Sequence, residues 1–149
     1  MPRTRCYRNG VLTDEDFPLA DVAEHVADES AVVWVDLCAP DAADLQLVAH
    51  ELGLHRLAVE DATQGRQRPK LDCYDGHSFL SAYAARLDVD SGELVTAEIA
   101  AFITPSALIT IRNDDSFEIE GLMARWDDEV DLTKYGVGAL LHGLLDFVV

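Results

Sequence analysis

The stretch AVVWVDL (Ala31–Leu37) is β-branched and almost continuously apolar. Such a run predicts a strand covered on both faces, since a half-exposed strand would alternate apolar and polar residues. Pro40 and Asp41 then open a predicted helix, with Asp44 at the position of a capping-box acid. Gly53 ends that helix. A fully covered strand followed directly by a helix predicts an α/β domain.

The elements that follow extend this α/β pattern. In chain order they are a short helix over Leu54–Asp61, a loop over Ala62–Lys70, strands over Lys70–Tyr74 and His77–Leu87 around the hairpin dipeptide Asp75-Gly76, strands over Glu98–Thr104 and Ala107–Ile111, a helix from about Phe117 to Val130, and a helix from Tyr135. The order is strand, helices, several strands, then helices. We therefore predict a three-layer α/β/α sandwich with a mixed, largely antiparallel β-sheet.

Length and charge limit the function classes. The 149 residues fit a single domain over 1–149. The formal net charge of −17 argues against nucleic acid, because duplex binding depends on Lys and Arg contacts to phosphates. Residues 14–29 carry seven acids and no Lys or Arg, which predicts a solvated face. Cations and basic surfaces are the expected partners.

The sequence carries no pattern typical of an enzyme. It has no phosphate-binding glycine loop, no H-E-x-x-H and no nucleophile elbow. The cysteines Cys6, Cys38 and Cys73 lack a C-x-x-C arrangement, and we predict that they are buried apolar residues in a reducing compartment. No nucleophile with an adjacent base emerges. We therefore expect a protein that binds rather than catalyses.

The C-terminal segment YGVGALLHGLLDFVV, from Tyr135, places apolar residues at helical spacing. Its last turn has no basic residue, no glycine cap and no polar tail. We expect residues 135–149 to be the start of a longer helical region, and the native protein to continue beyond Val149.

The adjacent acids Glu60 and Asp61 form the sharpest local pattern. Two carboxylates about 4 Å apart repel each other by about 4 kcal/mol at an effective dielectric constant near 20. A divalent cation relieves that repulsion, and Mg2+ is usually held by one or two carboxylates while it keeps several waters. Alternatively, the pair is a solvated helix end that Arg66 or Arg68 neutralises. Spacing alone leaves both interpretations open.

Five segments together resemble one protein family. They are WVDL (Trp34–Leu37), ELGLH (Glu51–His55), LAVED (Leu57–Asp61), QRPKLDCYDGHSFL (Gln67–Leu80) and ALLHGLLDFVV (Ala139–Val149). In this order, from about Val32 to Val149, they resemble the soluble N-terminal region of CorA-type magnesium transporters. The resemblance implies a homopentamer with a cytoplasmic α/β/α domain, a stalk helix and two membrane spans. The stalk, the spans and the family's Gly-Met-Asn signature are not in this sequence.

The resemblance also implies site residues and a function. Asp61 matches an acid that helps bind regulatory Mg2+ at the subunit interface, and Glu60 and Asp146 match acids of a neighbouring ion site. The implied function is an ion-sensing domain at the cytoplasmic face of the cell membrane, which contacts the membrane only through the missing C-terminal part. Co2+, Ni2+ and Zn2+ are alternative ions. The competing hypothesis is a free-standing acidic module that binds a basic protein.

Overall fold

The computed structural model describes residues 2–128 and 134–148. Its strands are β1 (Arg3–Arg8), β2 (Val11–Glu15), β3 (Ala31–Cys38), β4 (Lys70–Tyr74), β5 (His77–Leu87), β6 (Leu94–Ile103) and β7 (Ala107–Arg112). Its helices are α1 (Val22–Val26), α2 (Ala42–Leu52), α3 (Arg56–Gln64), α4 (Glu120–Asp128) and α5 (Val137–Val148). A single 3-10 turn, Leu19–Asp21, leads into α1.

The strands form one seven-stranded sheet in the order β2-β1-β3-β7-β6-β5-β4. Strands β3 and β7 run parallel at its centre, with Trp34 opposite Leu108, and the remaining neighbours are antiparallel. The prediction of a mixed, largely antiparallel sheet is therefore confirmed.

Helices cover both faces of the sheet. Val22, Leu45, Val48, Ala58 and Ala62, from α1, α2 and α3, pack on one face against alternate residues of the central strands. Leu122, Trp126, Leu140 and Leu144, from α4 and α5, pack on the other. Because the sheet is buried on both sides, β3 and β7 read as continuous apolar runs. The predicted three-layer sandwich is confirmed.

The cap residues of α2 behave as the sequence predicts. The Asp41 carboxylate accepts a hydrogen bond from the Asp44 amide at 2.8 Å, and Gly53 adopts a left-handed φ of 64° after the last turn.

The other predicted helix bounds shift. Helix α3 covers Arg56–Gln64 rather than Leu54–Asp61, because His55 caps its N-terminus and accepts from the Leu57 amide at 3.1 Å. Helix α4 begins at Glu120 rather than near Phe117, whose carbonyl accepts a hydrogen bond from the Arg112 guanidinium at 2.8 Å. The predicted end at Val130 and the last residue, Val149, lie outside the described residues.

The N-terminal strands β1 and β2 are absent from the sequence-based prediction. Strand β1 inserts between β2 and β3, and its residues Thr4 to Tyr7 are all buried. Arg5 is stabilised there by the Glu15 carboxylate at 2.9 Å, and the Tyr7 hydroxyl donates to Asp127 at 2.6 Å. Polar residues thus occupy buried positions because partners elsewhere in the chain pair with them.

Two further expectations need correction. The acids within residues 14–29 lie at the surface, as predicted, but Phe17, Leu19 and Val22 between them are buried in the core. Among the cysteines, Cys6 is buried as predicted, whereas Cys73 is exposed on the edge strand β4. The prediction was wrong for Cys73 because alternate residues of β4 face away from the covered side of the sheet.

A buried ion pair joins the two parallel strands at the centre of the sheet. The Asp36 carboxylate of β3 accepts from the Arg112 guanidinium of β7 at 2.6 Å and 3.1 Å. It also accepts from the Thr110 hydroxyl at 2.7 Å, and the Trp34 indole donates to that same hydroxyl at 3.1 Å. Every charge in this network has a hydrogen-bonded partner, which is what makes burial of the pair tolerable.

His25 joins α1 to the edge strand β2 region. Its Nδ1 lies 2.8 Å from the Asp21 carbonyl oxygen, and its Nε2 lies 2.7 Å from the Asp14 carboxylate. Both partners only accept, so the arrangement favours an imidazole that carries both protons. Burial lowers the pKa of His25, but the two hydrogen bonds outweigh burial and raise it above its usual value, against a small opposing effect of Arg8. The same contact is the main cause of the lowered pKa of Asp14.

We expect this contact to weaken as pH rises. The folded-state pKa of His25 lies above the unfolded value of about 6.5. The contribution of His25 to the free energy of unfolding is therefore fully present below about pH 6.5. It is lost as pH rises through the higher folded pKa. Urea denaturation from about pH 6 to pH 9 should show the stability difference between wild type and His25→Gln shrinking with pH. A difference that stays constant over that range contradicts the expectation. Arg8, whose charge lowers the pKa of His25, is itself paired with Asp28 at 2.7 Å.

Candidate cation-binding site

The start of α3 is fixed against the sheet by a stack of rings. The His55 ring lies on Tyr74 of β4, with centroids 4.5 Å apart, and Tyr74 lies on His77 of β5 at 5.3 Å. The His55 amide donates to His77 Nε2 at 3.0 Å. The first turn of α3 is therefore held in a defined position relative to β4, the strand that begins with Lys70.

Helix α3 buries a small-residue face and presents its acids outward. Ala58 and Ala62, one turn apart, pack against the sheet. Glu60 points to solvent and contacts only the Gln64 amide at 3.5 Å among the contacts described, a marginal distance for a hydrogen bond. Asp61, next along the helix, is half-buried, with 27% of its side chain exposed.

Lys70, the first residue of β4, neutralises Asp61. Its Nζ lies 2.6 Å from the Asp61 carboxylate and 3.0 Å from that of Asp72. The ammonium also stands over the Phe79 ring, 5.8 Å from the centroid. The hydrogen bonds that the ammonium donates to Asp61 and Asp72 raise the pKa of Lys70. The partner expected from the sequence, Arg66 or Arg68, is therefore not the one that pairs with Asp61.

The loop between α3 and β4 is anchored from the neighbouring strands. The amides of Arg66 and Gln67 both donate to the Glu98 carboxylate of β6, the second at 3.4 Å. The Tyr83 hydroxyl of β5 contacts the Gln67 carbonyl oxygen and lies 3.2 Å from Glu98. Gly65 takes a φ of 63°, and a Cβ there would lie 3.2 Å from the Asn113 side chain. These contacts determine where β4 begins, and hence where Lys70 lies.

Asp146 lies on the opposite layer of the domain. It is on α5, away from the buried Leu140 and Leu144, and 57% of its side chain is exposed. Its carboxylate pairs with Arg125 of α4 at 3.1 Å. Because α3 and α5 cover different faces of the sheet, a single chain does not bring Asp146 together with Glu60 and Asp61.

The donors at Glu60 and Asp61 suit a hard cation in kind but not in number. Carboxylate oxygens are the ligands that Mg2+ accepts, and the Lys70 ammonium shows that Asp61 already holds a positive charge in this position. Within residues 2–128 and 134–148, no group of three or more His, Cys, Asp or Glu side chains is placed to hold a metal ion. A complete ligand set thus needs waters or donors from outside these two ranges.

Sequence reasoning identified the acids but missed Lys70 and Asp72 as their neighbours. The motif Q-R-P-K drew attention to this loop, yet only the pairing of β4 with β5, from Lys70 opposite Ser81 onward, sets the direction of the lysine. The alternation of strand β4 carries a usable signal. Residues two apart share a face, so Lys70 and Asp72 are neighbours.

The fold and the site together define an α/β/α domain that presents carboxylates on a short surface helix. The chain belongs to the CorA-like Mg2+ transporter family, whose sequence model matches residues 29–149. The resemblance drawn from the five sequence segments is therefore confirmed. No helix in the described ranges has the length and hydropathy to span a membrane.

Two curated relatives illustrate the match. The chain is 30% identical over 116 residues to a putative metal ion transporter, YfjQ, of Bacillus subtilis, covering 78% of this chain and 35% of the relative. It is 23% identical over 125 residues to the cobalt/magnesium transport protein CorA of Thermotoga maritima, covering 82% of this chain and 35% of the relative. The chain thus spans about a third of the length of the curated relatives it matches.

Solved structures share the fold. The soluble domain of CorA from Methanocaldococcus jannaschii aligns with a TM-score of 0.69 at 15% identity, covering 99% of this chain and 55% of that one. The cytoplasmic domain of ZntB from Vibrio parahaemolyticus aligns with a TM-score of 0.61 at 15% identity, covering 78% and 47%. At these identities the similarity concerns architecture alone.

Proposed function

We propose that this chain is the ion-sensing regulatory domain of a CorA-like divalent-cation channel. In the proposal it lies at the cytoplasmic face of the cell membrane, within a homopentamer, and Mg2+ bound between subunits controls gating. Asp61 is the principal ligand, with Glu60 and Asp146 as contributors. Because the donors are carboxylate oxygens, Mg2+ is the preferred ion over Co2+, Ni2+ or Zn2+.

The observation that carries the proposal is Asp61 on α3, in a chain of the CorA-like family. Its carboxylate is half-buried and already pairs with a positive charge, the Lys70 ammonium. A net charge of −17 adds a physical reason for cation control. Copies of so acidic a domain repel one another, and a cation that binds better between associated copies than to separated ones shifts the population toward the associated state.

The position of Asp146 makes the proposal specific about subunits. Since Asp146 and Glu60 lie on opposite layers of one chain, they contribute to a common ion only when they come from different copies. Asp146→Asn should therefore weaken the Mg2+ response only under conditions in which the chain associates. Asp61→Asn should weaken it in every state.

We expect MgCl2 to raise the melting temperature of this chain more than NaCl of equal ionic strength does. A ligand that binds the folded state stabilises it by mass action, whereas simple screening depends only on ionic strength. Asp61→Asn should remove most of the Mg2+-specific increase. Thermal unfolding in matched salt series, with sedimentation velocity to follow association, measures both effects.

The matched control is Asp90→Asn, which makes the same charge change in the turn between β5 and β6. It should keep the Mg2+-specific increase. Equal stabilisation by both salts, in wild type and in every variant, would overturn the proposal. That result would favour the competing acidic interaction module, which responds to charge alone.

A further inference from the structure

We propose that Lys70 is a built-in competitor for the cation at Asp61, and that it sets the Mg2+ concentration at which Asp61 becomes occupied. This inference rests on the proposed function and adds a regulatory element to the same site. It assigns to Lys70 a positioning and competing role, in which its ammonium holds the carboxylate until a divalent cation displaces it.

The competition follows from the distances. At 2.6 Å, the Lys70 ammonium occupies one side of the Asp61 carboxylate at hydrogen-bond distance. A divalent cation bound to the same carboxylate would lie within a few ångströms of the ammonium, and like charges at such distances repel strongly when half-buried. Binding of Mg2+ to Asp61 and the Lys70–Asp61 contact therefore oppose each other.

Lys70 has a second carboxylate partner besides Asp61. Asp72 lies two residues along β4, on the same face, and already accepts from the ammonium at 3.0 Å. The Phe79 ring, opposite Asp72 in the β4–β5 ladder, lies beneath the ammonium. A small rotation of the lysine toward Asp72 thus releases Asp61 without leaving the ammonium unpaired. The exchange requires no movement of the strand.

The backbone holds the competitor in place. Glu98 and Tyr83 bind the loop at Arg66 and Gln67, just before β4 begins. The ring stack of His55 and Tyr74 fixes the start of α3 on the same strand. The backbones of α3 at Asp61 and of β4 at Lys70 therefore keep a set separation, so that the ammonium stays within reach of Asp61 even after it turns toward Asp72.

The test compares Lys70→Gln with Lys134→Gln, which makes the same charge change at the chain's other lysine. Mg2+ replaces NaCl at constant ionic strength in an NMR titration. The amide resonances of Asp61 and its neighbours report the midpoint, which is the Mg2+ concentration at half of the total shift. Lys70→Gln should lower the midpoint by about three- to tenfold. Lys134→Gln should leave it unchanged. Lys70→Arg, which retains the charge, should stay within about twofold of wild type. In wild type, the Lys70 side-chain resonances should shift with the same midpoint as Asp61.

The outcomes separate this inference from the proposed function. A wild-type response that Asp61→Asn abolishes, with equal midpoints for Lys70→Gln and Lys134→Gln, overturns the role of Lys70 and leaves the site intact. No Mg2+ response in either wild type or Lys70→Gln overturns both. A response that becomes measurable only in Lys70→Gln supports the competition directly.

Discussion

Replacing Asp36 by Ala should lower the free energy of unfolding by about 3–5 kcal/mol, because it leaves the Arg112 guanidinium buried without its partner. Only 6% of the Arg112 side chain and 1% of the Asp36 side chain are exposed, so water does not take over the lost contacts. The Thr110 hydroxyl loses its acceptor on Asp36 as well. Urea denaturation followed by circular dichroism measures the loss.

The double variant Asp36→Leu with Arg112→Met provides the control. Removing both charges avoids the unpaired guanidinium, and apolar replacements of buried ion pairs are often neutral or stabilising. The double variant should therefore be clearly more stable than Asp36→Ala. A loss below about 1 kcal/mol in Asp36→Ala would show that the pair contributes no more than a surface contact does.

Trp126→Ala should cost about 3–5 kcal/mol, the usual range for truncating a large buried aromatic residue. Trp126 is fully buried on α4 and packs edge-on against Trp34 of β3, with ring centroids 4.9 Å apart. It also lies against Gly143 of α5, where a Cβ would come within 2.8 Å of the indole Nε1. One side chain thus joins α4, α5 and the central strand.

Trp126→Phe distinguishes the volume of this side chain from its polarity. The buried Nε1 of Trp126 has no hydrogen-bond partner among the atoms the structure describes. Phe gives up packing volume but also removes this unsatisfied donor, whose burial costs about 1–3 kcal/mol. We therefore expect Trp126→Phe to lie within about 1 kcal/mol of wild type. Fluorescence of the remaining Trp34 reports unfolding, and equal losses for Phe and Ala would contradict this account.

The parts of the fold that were predicted correctly are those with local causes. Strand β3 is recognisable because it is apolar throughout, and α2 because Asp41 and Gly53 cap it by contacts within the helix itself. The β4–β5 hairpin follows from Asp75-Gly76, whose glycine has the positive φ of 83° that the turn requires. Each of these signals lies within a few residues of the element it specifies.

The parts that were missed depend on distant partners. Strand β1 buries Arg5, and its Tyr7 hydroxyl reaches Asp127, 120 positions later. No local pattern in R-T-R-C-Y-R indicates a buried strand, because its polar residues are paired by other elements, Arg5 by Glu15 of β2 and Tyr7 by Asp127 of α4.

The candidate site shows the same division. The acids Glu60 and Asp61 were identified from their adjacency and from the family resemblance, and the structure places them on one short helix. Their neutralising partner was not identified, because Lys70 reaches Asp61 only through the turn that connects α3 to β4. Asp146 stays a predicted ligand, and its place on the opposite layer makes its role depend on a second copy.

The pairing of β3 with β7 also bears on how the chain folds during synthesis. Trp34 of β3 pairs with Leu108 of β7, which is synthesised 74 positions later. Strand β1, by contrast, is synthesised before β3 and can pair with it at once. Until β7 leaves the ribosome, β3 has one open edge, with Val33, Trp34 and Val35 beside unpaired backbone groups. Late closure of so apolar a central strand makes folding slow relative to chains with local contacts. The chain is therefore most prone to aggregation during synthesis, before β7 is available. The high negative charge of the domain opposes aggregation.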